Sequence, residues 1–409
     1  MDDKKIEARR EIDESFKLCL FSMKFIGLSF TKPASNEAYL VQKMIVLISV
    51  CSICYHVFSE VMNIIFTFAN SPKVEEVVPL FHVLGYGALS IFKMSVLWYQ
   101  KDVFNRLIEE LSSIWPMPPM NEESQRIKEK SLSALRVRHL GYYYVNLYGV
   151  WFYNITPILV FLHERFQGME TKFGFVWTSW YPFDKHQPFA HFMVYLFEIY
   201  AGVTCVWIMV ASDLLFSGLA SHIGLLLRIL QRQLESLGTT RKTEDEQYND
   251  IKSSIKLHQR LISYCMSIEE AFSFVNLINI SMSSVNICCV VFVIVLLEPM
   301  MSVSNKLFLM SQLLQTGVLC WYADDIINAN ARIAVGAYNS RWYEMSPRCR
   351  RALRFLILRA QKPIAFTAMK FTNISLVTYS SVSLYFASLL GISWVRFPYW
   401  YQQKCFEFG

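Results

Sequence analysis

The sequence predicts an all-α membrane protein: seven transmembrane helices with a cytoplasmic N-terminus, an extracellular C-terminus and an intracellular helical anchor bundle. Three observations carry that prediction. Hydrophobic residues fill 54% of the 409 positions and mean hydropathy is +0.29, too apolar for an ordinary soluble chain of this length. Apolar runs long enough to cross a ~30 Å hydrocarbon core lie at 40–69, 77–99, 138–162, 189–218, 271–298, 306–323 and 371–394. Lys and Arg are sorted by loop, with 29 on the side of the N-terminus and seven on the other, and positive loops stay in the cytoplasm. An odd number of spans then puts the termini on opposite sides. This orientation is inverted relative to seven-span receptors that couple to G proteins.

Residues 1–39 form a cytoplasmic arm. Charges of both signs precede a short apolar stretch, Leu18 to Phe30, broken by Lys24. That pattern is no secretory signal. It predicts an interfacial helix on the cytoplasmic leaflet with Lys17, Lys24 and Lys32 near headgroups.

Residues 40–218 hold spans one to four and are expected to form the ligand-sensing bundle. The outer halves of several spans are crowded with aromatics and methionine, and an enclosed, mostly apolar cavity suits a small hydrophobic ligand. Candidate ligand-binding residues are His82, Tyr86, Tyr148, Trp151, Phe152, Tyr195, Glu198, Met310 and Leu314. Aromatics also pack membrane bundles. Glu198 stands out because a carboxylate inside a span is costly, which calls for a hydrated cavity or an internal partner. Lys43 and Lys93 are expected to snorkel to the inner surface. The outer loop at 163–188 is rich in Phe, Trp and Tyr and reads as a lid or an interfacial belt.

Residues 219–270 continue the helical spacing of Ile223, Leu226, Leu227, Leu230 and Leu234 past the fourth span, then resume it after a polar hinge. Spans five and six occupy 271–323. Asp324 and Asp325 follow, expected to meet Arg332 or the basic helix beyond it. The segment 324–370 carries the anchor helices, and its apolar periodicity requires a packed bundle.

The seventh span, 371–394, has no charge. Thr378, Ser381, Tyr385, Ser388 and Ile392 recur at three and four residues and share one helix face, four of them hydroxyl-bearing. Such a face can line water and close at an apolar constriction; it can also pack helices in lipid. Residues 395–409 form the extracellular tail.

Ten cysteines lie mostly in apolar runs, and no CxxC faces a matching pair, so neither a zinc site nor a disulfide framework is expected. Phosphate loops, HExxH, GxSxG and paired carboxylates are absent, so the sequence predicts no enzyme, cofactor or metal. The excess of basic residues follows topology and does not form a patch for nucleic acid.

The run Tyr322 to Trp342 ending in AYNSRW, followed by RALRFLILRAQKP and KFTNISLVTY, resembles the insect odorant receptor family. The match is specific at Tyr338, Trp342, Arg359 to Pro363, Ser375-Leu376 and Thr378-Tyr379. Elsewhere it rests on length, span number and inverted topology, and the end of the seventh span, SSVSLYFASLLGISW, departs from the usual Ser-Tyr-Ser-Tyr-Phe. The resemblance implies a plasma-membrane subunit of an odorant-gated, non-selective cation channel, a heterotetramer with the odorant receptor co-receptor, tuned to a small volatile odorant or pheromone. It implies that the seventh span lines the pore and that Tyr338, Trp342, Arg354, Gln361 and Pro363 serve subunit assembly. A gustatory receptor of the same superfamily shares the fold and would work without the co-receptor. A secondary transporter would show internal repeats or broken mid-membrane helices, and neither is seen.

Overall fold

One helix, α7 (Pro188–Glu235), is surrounded by the others along most of its length. The computed structural model describes residues 2–30, 35–70, 73–169, 173–177, 179–239, 242–297 and 303–381. Two short helices, α1 (Asp2–Ser15) and α2 (Lys17–Phe25), precede the spans α3 (Asn36–Ala69) and α4 (Val74–Tyr99). Next come α5 (Lys101–Ile114) and the long α6 (Glu122–Phe166). After α7 follow α8 (Glu244–Phe292), closed by a π-turn at Val293–Leu297, and α9 (Val303–Tyr338). The chain then forms α10 (Pro347–Ala360) and a small hairpin, β1 (Thr367–Ala368) with β2 (Thr372–Asn373).

Among the described residues, five helices are long and apolar enough to cross a membrane: α3, α4, α6, α7 and α8. The sixth expected span lies in α9, where buried Gln312, Gln315 and Thr316 dilute the hydropathy.

Helical periodicity past the spans is realised as continuous helix. In α7, Leu219, Ile223, Leu227, Leu230 and Leu234 are fully buried well beyond residue 218. Burial on every side suits this helix, which packs against α2, α3, α4, α6, α8 and α9. The polar hinge before α8 contains a capping box: Thr243 Oγ1 accepts from the Glu246 amide at 3.4 Å and Glu246 Oε2 accepts from the Thr243 amide at 2.9 Å. Helix α10 opens with Ser346 as its cap and Pro347 in its first turn.

The N-terminal segment is clasped to the protein. Ile12, Phe16, Cys19, Met23 and Ile26 bury one face against the core, and Phe21 and Phe25 remain exposed on the other. Phe16 stacks on His222 of α7 with ring centroids 5.1 Å apart, and Ser15 shares a 2.9 Å hydrogen bond with the same imidazole. This docking depends on Gly218, where an added Cβ would lie 2.4 Å from the Phe16 ring. Gly218→Ala is therefore expected to cost about 1–3 kcal/mol through overpacking, seen as a lower melting temperature, and Phe16→Leu in the same chain should recover part of it. An unchanged melting temperature would show that Phe16 is not wedged at this point.

The seventh helix starts later than the sequence predicts. Residues 371–373 belong to the hairpin, whose turn places Met369 and Lys370 at φ of 51° and 63°, and helix begins at 376. Ser375 caps it, accepting from the Thr378 amide at 3.3 Å. The hairpin is tied to α8: Glu269 accepts from the Thr367 amide at 2.9 Å and from its hydroxyl, and Ser273 Oγ accepts from the Met369 amide at 2.9 Å. Asn330 of α9 holds the preceding turn by donating to the carbonyls of Ala360 (3.0 Å) and Lys362 (3.2 Å).

Candidate functional site

Helices α3, α4, α6, α7 and α9 converge on a cavity of about 50 Å³. Its walls include His56, His82, Tyr86, Asn146, Val150 and Tyr153, together with Cys205 of α7 and Phe308 of α9. Its lining is mostly apolar, and no charged side chain borders it. By the ~10–15 Å³ that one water needs, the space admits a few waters.

The roof is Trp177, from the loop between α6 and α7. Its ring stacks on Tyr153 at 4.7 Å and leans on His56 at 5.6 Å. Glu198 holds this loop in place. Its carboxylate accepts from the amides of Val176 (2.9 Å) and Trp177 (3.2 Å) and from the Tyr181 hydroxyl (3.1 Å), and its carbonyl accepts from Trp177 Nε1 (3.3 Å). Burial, then the adjacent Glu198 charge, push the Tyr181 phenol well above its ordinary range, so it stays a donor. A second clasp joins the loop to α3, where Ser179 donates to Glu60 at 2.7 Å and Ser59 donates to the Trp180 carbonyl. The aromatic loop thus folds inward over the cavity. Gly202 permits it: an added Cβ would sit 3.1 Å from the Trp177 ring.

The floor adjoins a buried polar network. Lys93 of α4 is fully buried and meets Asp213 of α7 at 2.6 Å, so it does not snorkel to the surface. An internal partner at that distance outweighs the stretch to the headgroups. Tyr142 of α6 and Gln315 of α9 donate to the other Asp213 oxygen at 2.8 and 2.9 Å, and Gln315 also reaches Asn279 of α8 at 3.3 Å. Five helices meet in these side chains.

Of the sequence-predicted ligand residues, His82 and Tyr86 line the cavity. Tyr195 is buried beside it and donates to the Asn154 carbonyl at 2.5 Å, while Glu198 serves the roof. Tyr148 is 68% exposed and turned outward, as are Trp151 and Met310, and Phe152 and Leu314 are half-buried outside the lining. Helical phase explains this. Asn146, Gly149, Val150 and Tyr153 share the inner face of α6, and Tyr148 lies about 200° round from Asn146. Sequence reasoning missed Asp213, Trp177 and His56. The rule that singles out Glu198 as an intramembrane carboxylate applies equally to Asp213.

In the predicted pore face, Thr378 donates to the Asn373 carbonyl at 2.6 Å and Ser381 to that of Val377 at 2.9 Å. Tyr385, Ser388 and Ile392 lie outside the described residues. Tyr338, Arg354, Gln361 and Pro363 are exposed at the anchor end, as is Trp342, whose ring lies 6.3 Å from Tyr338. Asp325 pairs with Arg228 of α7, and Asp324 accepts from Asn328 at 2.8 Å, so the expected partner Arg332 is replaced by a residue of the neighbouring helix. These groups border a second, polar cavity at the foot of the seventh helix.

A sequence model described as 7tm Odorant receptor matches residues 73–384. Among curated Drosophila melanogaster proteins, Odorant receptor 85c is 25% identical over 88% of this chain and 94% of its own length. Odorant receptor 67c is 24% identical over 73% of this chain and 74% of its own. The fold superposes on solved structures of the insect olfactory receptor OR5 from Machilis hrabei, with TM-scores of 0.79 without and 0.77 with eugenol, at 15% identity over 95% of this chain and 100% of the other. Fold and sequence thus converge, and the chain belongs to the 7tm odorant receptor family, a membrane-embedded odorant receptor.

Proposed function

We propose that this chain is the ligand-tuning subunit of an odorant-gated, non-selective cation channel of the plasma membrane, assembled as a heterotetramer with the odorant receptor co-receptor. The observation that carries the reading is the roofed cavity, which encloses a mostly apolar volume between spans and is linked, through Asn146 of its wall and Tyr142, to the Lys93–Asp213 network joining five helices. A ligand there acts on gating through its different affinity for open and closed arrangements. The N-terminus lies in the cytoplasm and the C-terminus outside, on the sorting of Lys and Arg. Subunits meet through the anchor end around Tyr338, Trp342, Arg354, Gln361 and Pro363, where Phe355 and Leu358 of α10 also stand exposed. A large apolar face at the end of a basic helix suits a protein contact.

Whole-cell recording decides this. Cells expressing the chain, the co-receptor, or both receive a panel of volatile compounds. A fast inward cation current that needs both proteins, for compounds to which the co-receptor alone is silent, is the expected result. Current from the chain alone would replace the proposal with a self-sufficient, gustatory-type receptor. Silence in cells with surface expression and a working co-receptor control would reopen the transporter reading.

The pore runs along Thr378, Ser381, Tyr385 and Ser388, closed near the outer end by Ile392. Ile392→Ser is expected to raise basal current several-fold by wetting the constriction, and unchanged basal and evoked currents would move the gate elsewhere.

A further inference from the structure

The cavity wall holds hydrogen-bonding capacity that the protein leaves unused. His82 is 4% exposed, its ring lies near the Pro79 backbone one turn back, and neither of its ring nitrogens meets the geometry of a hydrogen bond. Its ring is held edge-on to Phe308 at 5.4 Å. His56, 3% exposed on the opposing helix α3, has an unpartnered Nδ1 and packs against the roof at Trp177. Buried polar groups are almost always satisfied, so two orphaned imidazoles in one cavity call for a partner that enters it.

Of the other polar groups nearby, the Asn154 amide beside Gly202 also lacks a partner, whereas Asn146, Glu198 and Lys93 are engaged. Asn146 donates to the Tyr142 carbonyl at 2.8 Å and accepts from Ser311 at 2.7 Å, which settles the one side-chain amide and the one serine hydroxyl of the lining against each other. Glu198 has three donors on its carboxylate, and Lys93 is engaged by Asp213. The cavity therefore offers no free charge for an ionised ligand. It offers neutral imidazole nitrogens, each able to present an N–H or a lone pair.

Resting on the reading of this cavity as the odorant site, we propose that the ligand is a neutral, oxygen-bearing volatile, an alcohol, ketone, aldehyde or ester, whose oxygen is held by His82 with His56 beside it. A hydrocarbon of the same shape expels water from the imidazoles and returns nothing to them. The oxygenated ligand replaces those bonds and buries the same apolar chain against Phe308, Tyr86 and Val150. Specificity then comes from the group that a hydrocarbon lacks.

The test compares matched six- to eight-carbon sets of n-alkane, 1-alkanol, 2-alkanone and acetate ester. Binding to the full-length chain is read as ligand-induced thermal stabilisation, and currents are recorded with the co-receptor on the same panel. The expected result is stabilisation by oxygenated members at concentrations about 30-fold lower than by the alkanes. His82→Phe should shrink that ratio to about 3-fold or less, and His82→Gln, which keeps a donor and an acceptor, should retain most of it. Equal potency of alkanes, a ratio unmoved by His82→Phe, or no stabilisation by any member overturns the inference. Stabilisation by oxygenated members without any co-receptor-dependent current supports it and removes the channel reading instead.

Discussion

Asp213→Leu is expected to remove most of the folded chain from the cell surface, and adding Lys93→Met to that variant to bring much of it back. Alone, the substitution leaves a fully buried ammonium with no counter-charge in a helix bundle inside lipid. Breaking a buried pair by deleting one partner costs about 3–5 kcal/mol, a large share of the ~5–15 kcal/mol that holds a protein domain folded. Removing both charges together takes away the unpaired ion, which is why replacing a whole pair by apolar residues is often nearly neutral. Recovery should stay incomplete, because in either variant Tyr142 loses its acceptor and Gln315 keeps only its longer bond to Asn279. Surface biotinylation and the monodisperse peak on size exclusion measure this. A single variant that reaches the surface like wild type, or a double variant no better than the single, would sink the account of Lys93 and Asp213 as a mutually dependent pair.

The second large effect is expected at Glu198. Glu198→Leu strips the acceptor from two backbone amides and one phenol at the roof, all buried or half-buried. At about 1–3 kcal/mol for each buried donor left unsatisfied, the loop can no longer hold Trp177 down on Tyr153 and His56. Agonist sensitivity should fall by at least about tenfold, one decade per 1.4 kcal/mol, with chain abundance reduced less than by Asp213→Leu. Glu198→Gln keeps one acceptor oxygen and should fall between the two. Concentration–response curves normalised to surface protein make the comparison. Wild-type sensitivity in Glu198→Leu would mean that the roof does not depend on this carboxylate.

How far the sequence could be read varies along the chain for physical reasons. Continuous periodicity in Ile223, Leu226, Leu227, Leu230 and Leu234 made the extension of α7 plain, because a helix that must bury such a stripe has few alternatives. The same signal lies in Phe104, Leu107, Ile108 and Leu111, which form the buried face of α5, a helix that the sorting of charges treats only as an inner loop. The N-terminal stretch was ambiguous in kind, since an amphipathic face suits a leaflet and a neighbouring helix equally. Here Phe16 and Met23 pack against protein, while Phe21 and Phe25 face outward.

The site was harder to read. Tyr and Trp favour both pockets and membrane interfaces, so their abundance in the outer halves does not say which way they point. His82 and Tyr86 face inward; Tyr148 and Trp151 face out. Trp177 could not be placed from its own stretch, because the clasp that turns the loop inward comes from Glu60 on α3 and from Glu198, about three turns into the following helix. The roof is a tertiary fact.

The pairing of Lys93 with Asp213 also bears on how the chain is made. The two residues are 120 positions apart, and two spans must follow α4 out of the ribosome before the aspartate exists. At roughly 5–20 residues per second this takes on the order of 6–24 s. Through that interval the second span is a hydrophobic helix with an uncompensated lysine, which disfavours release into the bilayer by itself. Its membrane insertion is thereby expected to depend on that of the fourth span, so that α4 and α7, two walls of the roofed cavity, settle in the bilayer together.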